Sequence, residues 1–280
     1  MEPEKGDPKI KVRRGDVARA ARDVGIVPGD TVMFHSSLSS MGRVVGGANA
    51  VIDGFLEAVG PEGTVAVPTL WWHQTDPPLR MEDWDPDTSP SYPSLITEVF
   101  RQRPDSVRSN NPTHSVSAIG ARAVELTRDH GKAGRRVCIF GDTAFARESP
   151  WERLYRWNAA YCFIGVDFTV NTMSHYIETR IVEAALRKAP RGAREYLVAQ
   201  IQRMDKAGVW PWYDRPGMCD LLAEKGLVRF GKIGSATLRC IRARDMVDKI
   251  RAVLRAHPER WFQPDFLAWL AVAQGKEAVE

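Results

Sequence analysis

Four short runs do most to limit what this chain can fold into: TVMFHSSL (31–38), GTVAVPTL (63–70), HSVSAIG (114–120) and AAYCFIGV (159–166). Each has the length and the apolar or alternating character of a strand. Between them lie helical patterns. GDVARAARDVGIVPGD carries apolar residues at helical spacing and ends in Pro28-Gly29, which predicts a helix over about 16–24, and AVIDGFLEAVG predicts another, closed by Gly60. Further helices are expected at about 94–103 and in ARAVELTRDHG, and GSATLRCIRARDMVDKIRAVLRAH reads as a strand followed by a helix. Helices and strands in this alternation form a parallel or mixed sheet covered by helices, the α/β class.

The stretch WWHQTDPPLRMEDWDPDTSPSYP (71–93) breaks the pattern. It has five prolines, three tryptophans and several acids with no period, so a long inserted loop near a site is expected. There is no internal repeat or low-complexity segment, and 280 residues at 44% hydrophobic content can bury a sizeable core. The expectation is a single domain over 1–280, with a less regular segment at about 187–231.

Charge and cysteines exclude several classes. The net charge of +4 is a small surplus of 39 basic over 35 acidic residues, too weak for a nucleic-acid partner. Local basic clusters such as KIKVRR and RKAPRGAR are solvated faces or contacts to a phosphate-bearing ligand. Cys138, Cys162, Cys219 and Cys240 contain no C-x-x-C pair, which points to buried free thiols in a reducing compartment. No apolar leader-like segment opens the sequence, and no apolar run reaches about 18 residues. A cytoplasmic protein without a membrane partner is expected.

The P-loop, H-E-x-x-H and G-x-S-x-G signatures are absent. RVVGGA (43–48) and RDHGKA (128–133) both match [RQ]-x-x-G-x-[GA], a coenzyme A pyrophosphate pattern; the second falls at a helix C-terminus, the wrong context. The first lies between a strand and a helix, where paired glycines free backbone N–H groups and a helix N-terminus favours phosphate. It is either a phosphate cradle or a plain turn. FHSSLSSMG sets serines at a strand's carboxyl end, which suits a ligand crevice and equally suits ordinary caps. RSNNPTHS places His114 just before a strand, where it is a structural or a catalytic histidine; His73 has the same two readings. In NTMSHYIETRIVEAALR, His175 and Glu178 stand three residues apart in a helix's first turn and share a face. They are an exposed pair, or a base and its orienting partner. A metal is not expected, because no second H-x-x-E or E-x-x-H unit accompanies them.

Taken in order, GDTVMFHSSLSSMGRVVGGANAVIDGFLEAVGPEGTVAVPT, DPDTSPS, RSNNPTHSVSAIG, SPWERLY, FIGVDFTVNTMSHYIE and GSATLRCIRARD together resemble the aminoglycoside 3-N-acetyltransferase family over most of the chain. The resemblance implies a three-layer αβα sandwich with a mixed central sheet, acetyl-CoA as donor and a small-molecule amine as acceptor. It also implies a coenzyme side formed by His35, Ser36, Ser37 and Leu38, by Arg43, Val44, Val45, Gly46 and Gly47, and by Arg108, Ser109, Thr113 and Ser115. His175 would handle the proton. Family members often carry a histidine or tyrosine followed by an acid between GV and NT; this chain has DFTV, which makes Asp167 the acidic candidate there.

Acetyl transfer to nitrogen needs a neutral amine, and a histidine suits removal of the proton near neutral pH. Glu178 would fix the tautomer of His175, and His114 would be a second polar contact or a proton acceptor. A cationic acceptor calls for carboxylates and aromatic faces, which Trp71, Trp72 and Asp76 offer in one loop, unless that loop is simply exposed. Two other readings stay open: a biosynthetic N-acetyltransferase for another small amine, and a noncatalytic coenzyme A-binding homologue. The assembly state is open between a monomer and a homodimer.

Overall fold

The computed structural model describes residues 3–203 and 209–276. The elements run β1 (Lys11–Val12), α1 (Arg14–Asp23), β2 (Thr31–Ser36), β3 (Arg43–Val44), α2 (Gly47–Val59), β4 (Thr64–Pro68), α3 (Leu95–Arg101), β5 (Val107–Arg108), β6 (Val116–Gly120), α4 (Ala123–Thr127), α5 (Pro150–Arg156) and β7 (Ala160–Ile164). There follow α6 (Met173–Lys188), α7 (Arg194–Gln202), α8 (Arg215–Glu224), β8 (Arg229–Ile233), β9 (Ala236–Arg242), α9 (Ala243–Ala256), α10 (Pro258–Trp261) and α11 (Pro264–Ala273). The segment expected to be less regular, 187–231, carries α7 and α8; its residues 204–208 lie outside the described residues. Between β4 and α3 there is only a single 3-10 turn, Met81–Asp83. No helix among the described residues is long and apolar enough to cross a membrane.

Seven strands form one mixed sheet in the order β5-β6-β4-β2-β7-β9-β8, and β1 pairs with β3 apart from it. β2 lies parallel to both β4 and β7, while β6 and β9 run antiparallel to these neighbours. The central strands are apolar on both faces because both faces are covered. Val32 and Phe34 of β2, Val65 and Val67 of β4 and Cys162 and Ile164 of β7 join Val17 of α1, Val51 and Phe55 of α2 and Phe100 of α3 in one hydrophobic cluster. Met33, Ala66, Tyr161 and Phe163, the alternate residues of the same strands, join Trp151 of α5, Tyr176 and Ile177 of α6 and Met246 and Ile250 of α9 in a second.

The register brings several chain ends to one edge of the sheet. Pro68 at the end of β4 pairs with Val116 at the start of β6, Ser36 at the end of β2 pairs with Ile164 at the end of β7, and Ile164 pairs with Leu238 near the start of β9. The segments that leave β2, β4 and β7, and the one that enters β6, therefore meet outside the carboxyl ends of the central parallel strands. Ligands of open α/β sheets collect at such an edge.

Candidate active site

Along that edge opens a crevice of ≈ 960 Å³, and the turn after β2, the segment before β6 and the first turn of α6 all contribute to its walls. Two hydrogen bonds seat α6. Asn171 Oδ1 accepts from the Met173 amide at 3.1 Å, and Asp167 Oδ1 accepts from the Thr169 amide at 2.7 Å in the 3-10 turn just before it. His175 then falls in the first helical turn with its ring in the crevice wall.

His175 Nδ1 lies 2.8 Å from Glu178 Oε2. Glu178 is fully buried and holds two further donors, Trp210 Nε1 on Oε2 at 2.7 Å and Arg215 Nη2 on Oε1 at 3.0 Å. Arg215 Nη2 also comes within 3.2 Å of His175 Nδ1. A guanidinium has only donors, so a proton on Nδ1 shared with Glu178 makes that approach a repulsive neighbour rather than a hydrogen bond. With Nδ1 so engaged, Nε2 is the lone-pair nitrogen. Burial pushes the imidazole below its ordinary range; the Glu178 carboxylate opposes that and the Arg215 charge adds to it. Phe140 and Trp212 pack edge-on against the ring, at centroid distances of 4.4 and 5.6 Å.

His114 stands 5.6 Å from His175, centroid to centroid, between Phe140 and Phe145. Its backbone is fixed: Asn111 Oδ1 accepts from its amide at 2.7 Å, and Trp151 Nε1 donates to its carbonyl at 2.9 Å. Its Nδ1 is buried with no partner among the described residues. Burial, with the nearby His175 and His130, pushes it well below the ordinary histidine range, so it is neutral at neutral pH. Ser36 Oγ, in the crevice wall at the end of β2, is a second buried polar atom without a partner. Buried polar atoms almost always have one, so these two mark where a ligand's polar groups would be met.

The structure brings together part of the expected coenzyme set. Ser36, Ser37, Leu38, Val44 and Thr113 line the crevice with His114 and His175. His35 borders it too, but its ring is buried: Nε2 lies 2.9 Å from the Tyr161 hydroxyl, the ring stacks on Phe163, and burial pushes its pKa down to about 3. It braces β2 against β7. Gly46 and Gly47 form the turn into α2 with φ of 91° and 59°, conformations that favour glycine, and the space beside Gly47 is open. Arg43, Val45, Gly46, Gly47, Ser109 and Ser115 are not in the crevice wall. Ser109 Oγ instead meets His130 Nδ1 and the Val116 amide.

Arg108 is the clearest departure. Its guanidinium donates to the carbonyls of Thr69, Pro86 and Ser89 and lies 4.5 Å over the Trp84 ring, so it ties down the 69–89 segment rather than facing the crevice. Of the acceptor residues expected in that segment, Trp72 lines the crevice. Trp71 is buried against Trp84, while Asp76 and Asp167 are not in the wall. Reading the sequence missed Trp210, Arg215 and Phe140. Asp214-Arg215-Pro216 was a usable signal for the second of these: Asp214 Oδ1 accepts from the Gly217 amide and Pro216 sits in the first turn of α8, a common helix start. Among the described residues, no group of three or more His, Cys, Asp or Glu side chains is arranged to hold a metal ion.

A family model described as Aminoglycoside 3-N-acetyltransferase matches residues 33–255. The aminoglycoside N(3)-acetyltransferase VII of Streptomyces paromomycinus is 30% identical over 276 residues, covering 85% of this chain and 89% of that protein. The SPbeta prophage-derived aminoglycoside N(3')-acetyltransferase-like protein YokD of Bacillus subtilis is 30% identical over 265 residues, with 85% and 88% covered. Among solved structures, the aminoglycoside acetyltransferase AAC(3)-Xa is similar at a TM-score of 0.65 and 26% identity, over 88% of this chain and 94% of that one. AAC-VIa bound to sisomicin is similar at 0.64 and 26%, over 88% and 98%.

Proposed function

The chain belongs to the aminoglycoside 3-N-acetyltransferase family, and from that premise we propose that it transfers the acetyl group of acetyl-CoA to an aminoglycoside, at the 3-amino group, with His175 as general base. The observation that carries the reading is His175 in the crevice wall with Nδ1 engaged by the buried Glu178, which leaves Nε2 as the basic atom. A simple alkylammonium has a pKa near ~10.4, so freeing the amine at neutral pH costs about 4–5 kcal/mol. His175 Nε2 lessens that cost by taking the ammonium's proton, which frees the nitrogen lone pair to attack the acetyl carbon, and Glu178 stabilises the imidazolium. The carbon–sulfur bond then breaks, the imidazolium gives its proton to the departing thiolate so that coenzyme A leaves as the thiol, and the second proton lost by the nitrogen goes to solvent.

Acetyl-CoA supplies an activated thioester carbonyl. Ser36, Ser37, Leu38 and Val44 would hold the coenzyme along the wall beside α2, with the Gly46-Gly47 turn as the anion-facing end, because the first amides of a helix lack internal partners. His114, held neutral, fits a polar contact better than a base. The same reading takes the two hydrophobic clusters as the two interfaces between sheet and helices in an αβα sandwich that folds as one domain.

A second reading, a different small amine as acceptor, is favoured by one observation. Among the described residues, no Asp or Glu side chain lines the crevice, whereas a polycationic sugar calls for carboxylates around it. Thiol release from acetyl-CoA with a panel of aminoglycosides and simple amines distinguishes the two. For the shared chemistry, His175→Ala is expected to lower kcat by about 10²–10⁴-fold while coenzyme still binds. Unchanged turnover in that variant would remove His175 from the reaction.

A further inference from the structure

Glu178 is held by His175, Trp210 and Arg215, and of these three His175 and Arg215 line the crevice. Arg215 comes from α8, thirty-seven residues further along the chain, and places Nη2 3.0 Å from Glu178 Oε1 and 3.2 Å from His175 Nδ1. Its side chain is 14% exposed and its guanidinium lies 5.5 Å from the Trp212 ring, so both the charge and its direction are set by packing. Trp210 Nε1 occupies the remaining side of Oε2. The carboxylate is thereby fixed at both oxygens, with Oε2 shared between Trp210 and the imidazole.

We propose that Arg215 is a positioning residue for the acetyl transfer: it holds Glu178 Oε1 from beside the imidazole, fixes the carboxylate against His175 Nδ1, and disfavours a second proton on the ring until the acceptor's proton arrives. The inference rests on His175 acting as the base. Its physics is a balance of two charges at similar range. Burial is the largest influence and already disfavours the imidazolium, while Glu178 pulls the other way by attracting a second proton onto His175. Arg215 offsets that attraction while leaving the hydrogen bond that sets the tautomer.

The other groups around the ring do not supply this effect. His114 is neutral. Phe140 and Trp212 carry no charge. The Cys138 thiol, bonded by Thr179 one turn along α6, is pushed up by burial to about 12, and the Tyr213 phenol on Ser174 is likewise raised by burial.

The test is the titration of the His175 ring, followed by nuclear magnetic resonance in histidine-labelled protein and assigned by loss of its signal in His175→Gln. Arg215→Gln is expected to raise the ring's titration midpoint by about one to two pH units, and Arg215→Lys, which keeps the charge, by less than about half a unit. The acidic limb of kcat/KM should move upward with it, so that activity lost at neutral pH returns in alkali. A midpoint that stays or falls in Arg215→Gln overturns the proposal, as does an Arg215→Lys that behaves like it. Should Arg215→Gln fail to fold, Arg215→Lys carries the test alone, and a rise of about a unit in that variant is the overturning result. If the ring's midpoint moves but the kinetic limb does not, Arg215's hold on the imidazole is upheld and the assignment of His175 as base is what falls.

Discussion

Glu178 has no exposure to solvent, and its two oxygens are filled by His175, Trp210 and Arg215. An amide in its place keeps the shape but can turn an N–H toward Nδ1, which selects the tautomer with its proton on Nε2, the wrong one for a base. Glu178→Gln is therefore expected to cost about 10²–10⁴-fold in kcat with little change in KM for acetyl-CoA, in protein shown to be folded by circular dichroism. Steady-state kinetics that left kcat within a factor of a few would mean that the carboxylate does not orient the base. The pair itself was legible because residues three apart in a helix share a face whatever the helix packs on. That Arg215 and Trp210 reach it was not: Asp214-Arg215-Pro216 marks a helix start, but where α8 and the segment before it dock is not written locally. Arg108 shows the converse. Its charge is plain in the sequence, but nothing there tells that backbone carbonyls of a neighbouring segment take its Nη atoms while Nε donates to Ser115 Oγ.

Elements with a strong period were readable and short polar ones were not. The apolar runs at 31–38, 63–70 and 159–166 became β2, β4 and β7, because a strand covered on both faces needs no alternation to announce it. β8, with Arg229, Phe230 and Lys232 turned outward at the sheet edge, has too little apolar content to stand out, and β1, β3 and β5 are two residues each. Packing between helices was equally silent, and Gly54 in the interior of α2 is the case in point. An Ala in mid-helix usually gains about 0.5–1 kcal/mol over Gly. Here a Cβ at 54 would stand 2.5 Å from Val17 Cβ and 2.9 Å from the Arg14 carbonyl oxygen of α1, so the two helices are in contact through the missing side chain. Gly54→Ala should lower stability by about 1–3 kcal/mol, the cost of overpacking a filled core. Chemical denaturation in urea reads this directly, and a stabilised variant would show that α1 can move away freely.

For the molecule as a whole, the histidines couple the fold to pH. His35, His114 and His130 are all neutral and buried: burial pushes His35 to about 3, His130 to about 4 and His114 well below the ordinary 6.5. Each lies behind or beside the crevice rather than on the surface. His35 bonds Tyr161, and His130 joins Ser109 to the Ala144 carbonyl. Released by unfolding, the same rings regain an ordinary affinity for protons. The unfolded chain then binds more protons than the folded one as pH falls below about 6.5, so stability present above that point is lost on the way down to the folded values near 4. Each ring contributes a slope of about 1.4 kcal/mol per pH unit in that window, and three together approach ~4 kcal/mol per unit. Glu98 and Glu183, held low by arginines against the opposing effect of burial, extend the loss in the same direction below about 4.5. Urea midpoints should therefore be level from about pH 8 to 7 and fall steeply between 6.5 and 5, before the carboxylates titrate. A midpoint that stays level down to pH 5 would mean that these rings take up protons without leaving their places, and the rigid backing assigned here to the crevice would have to be given up.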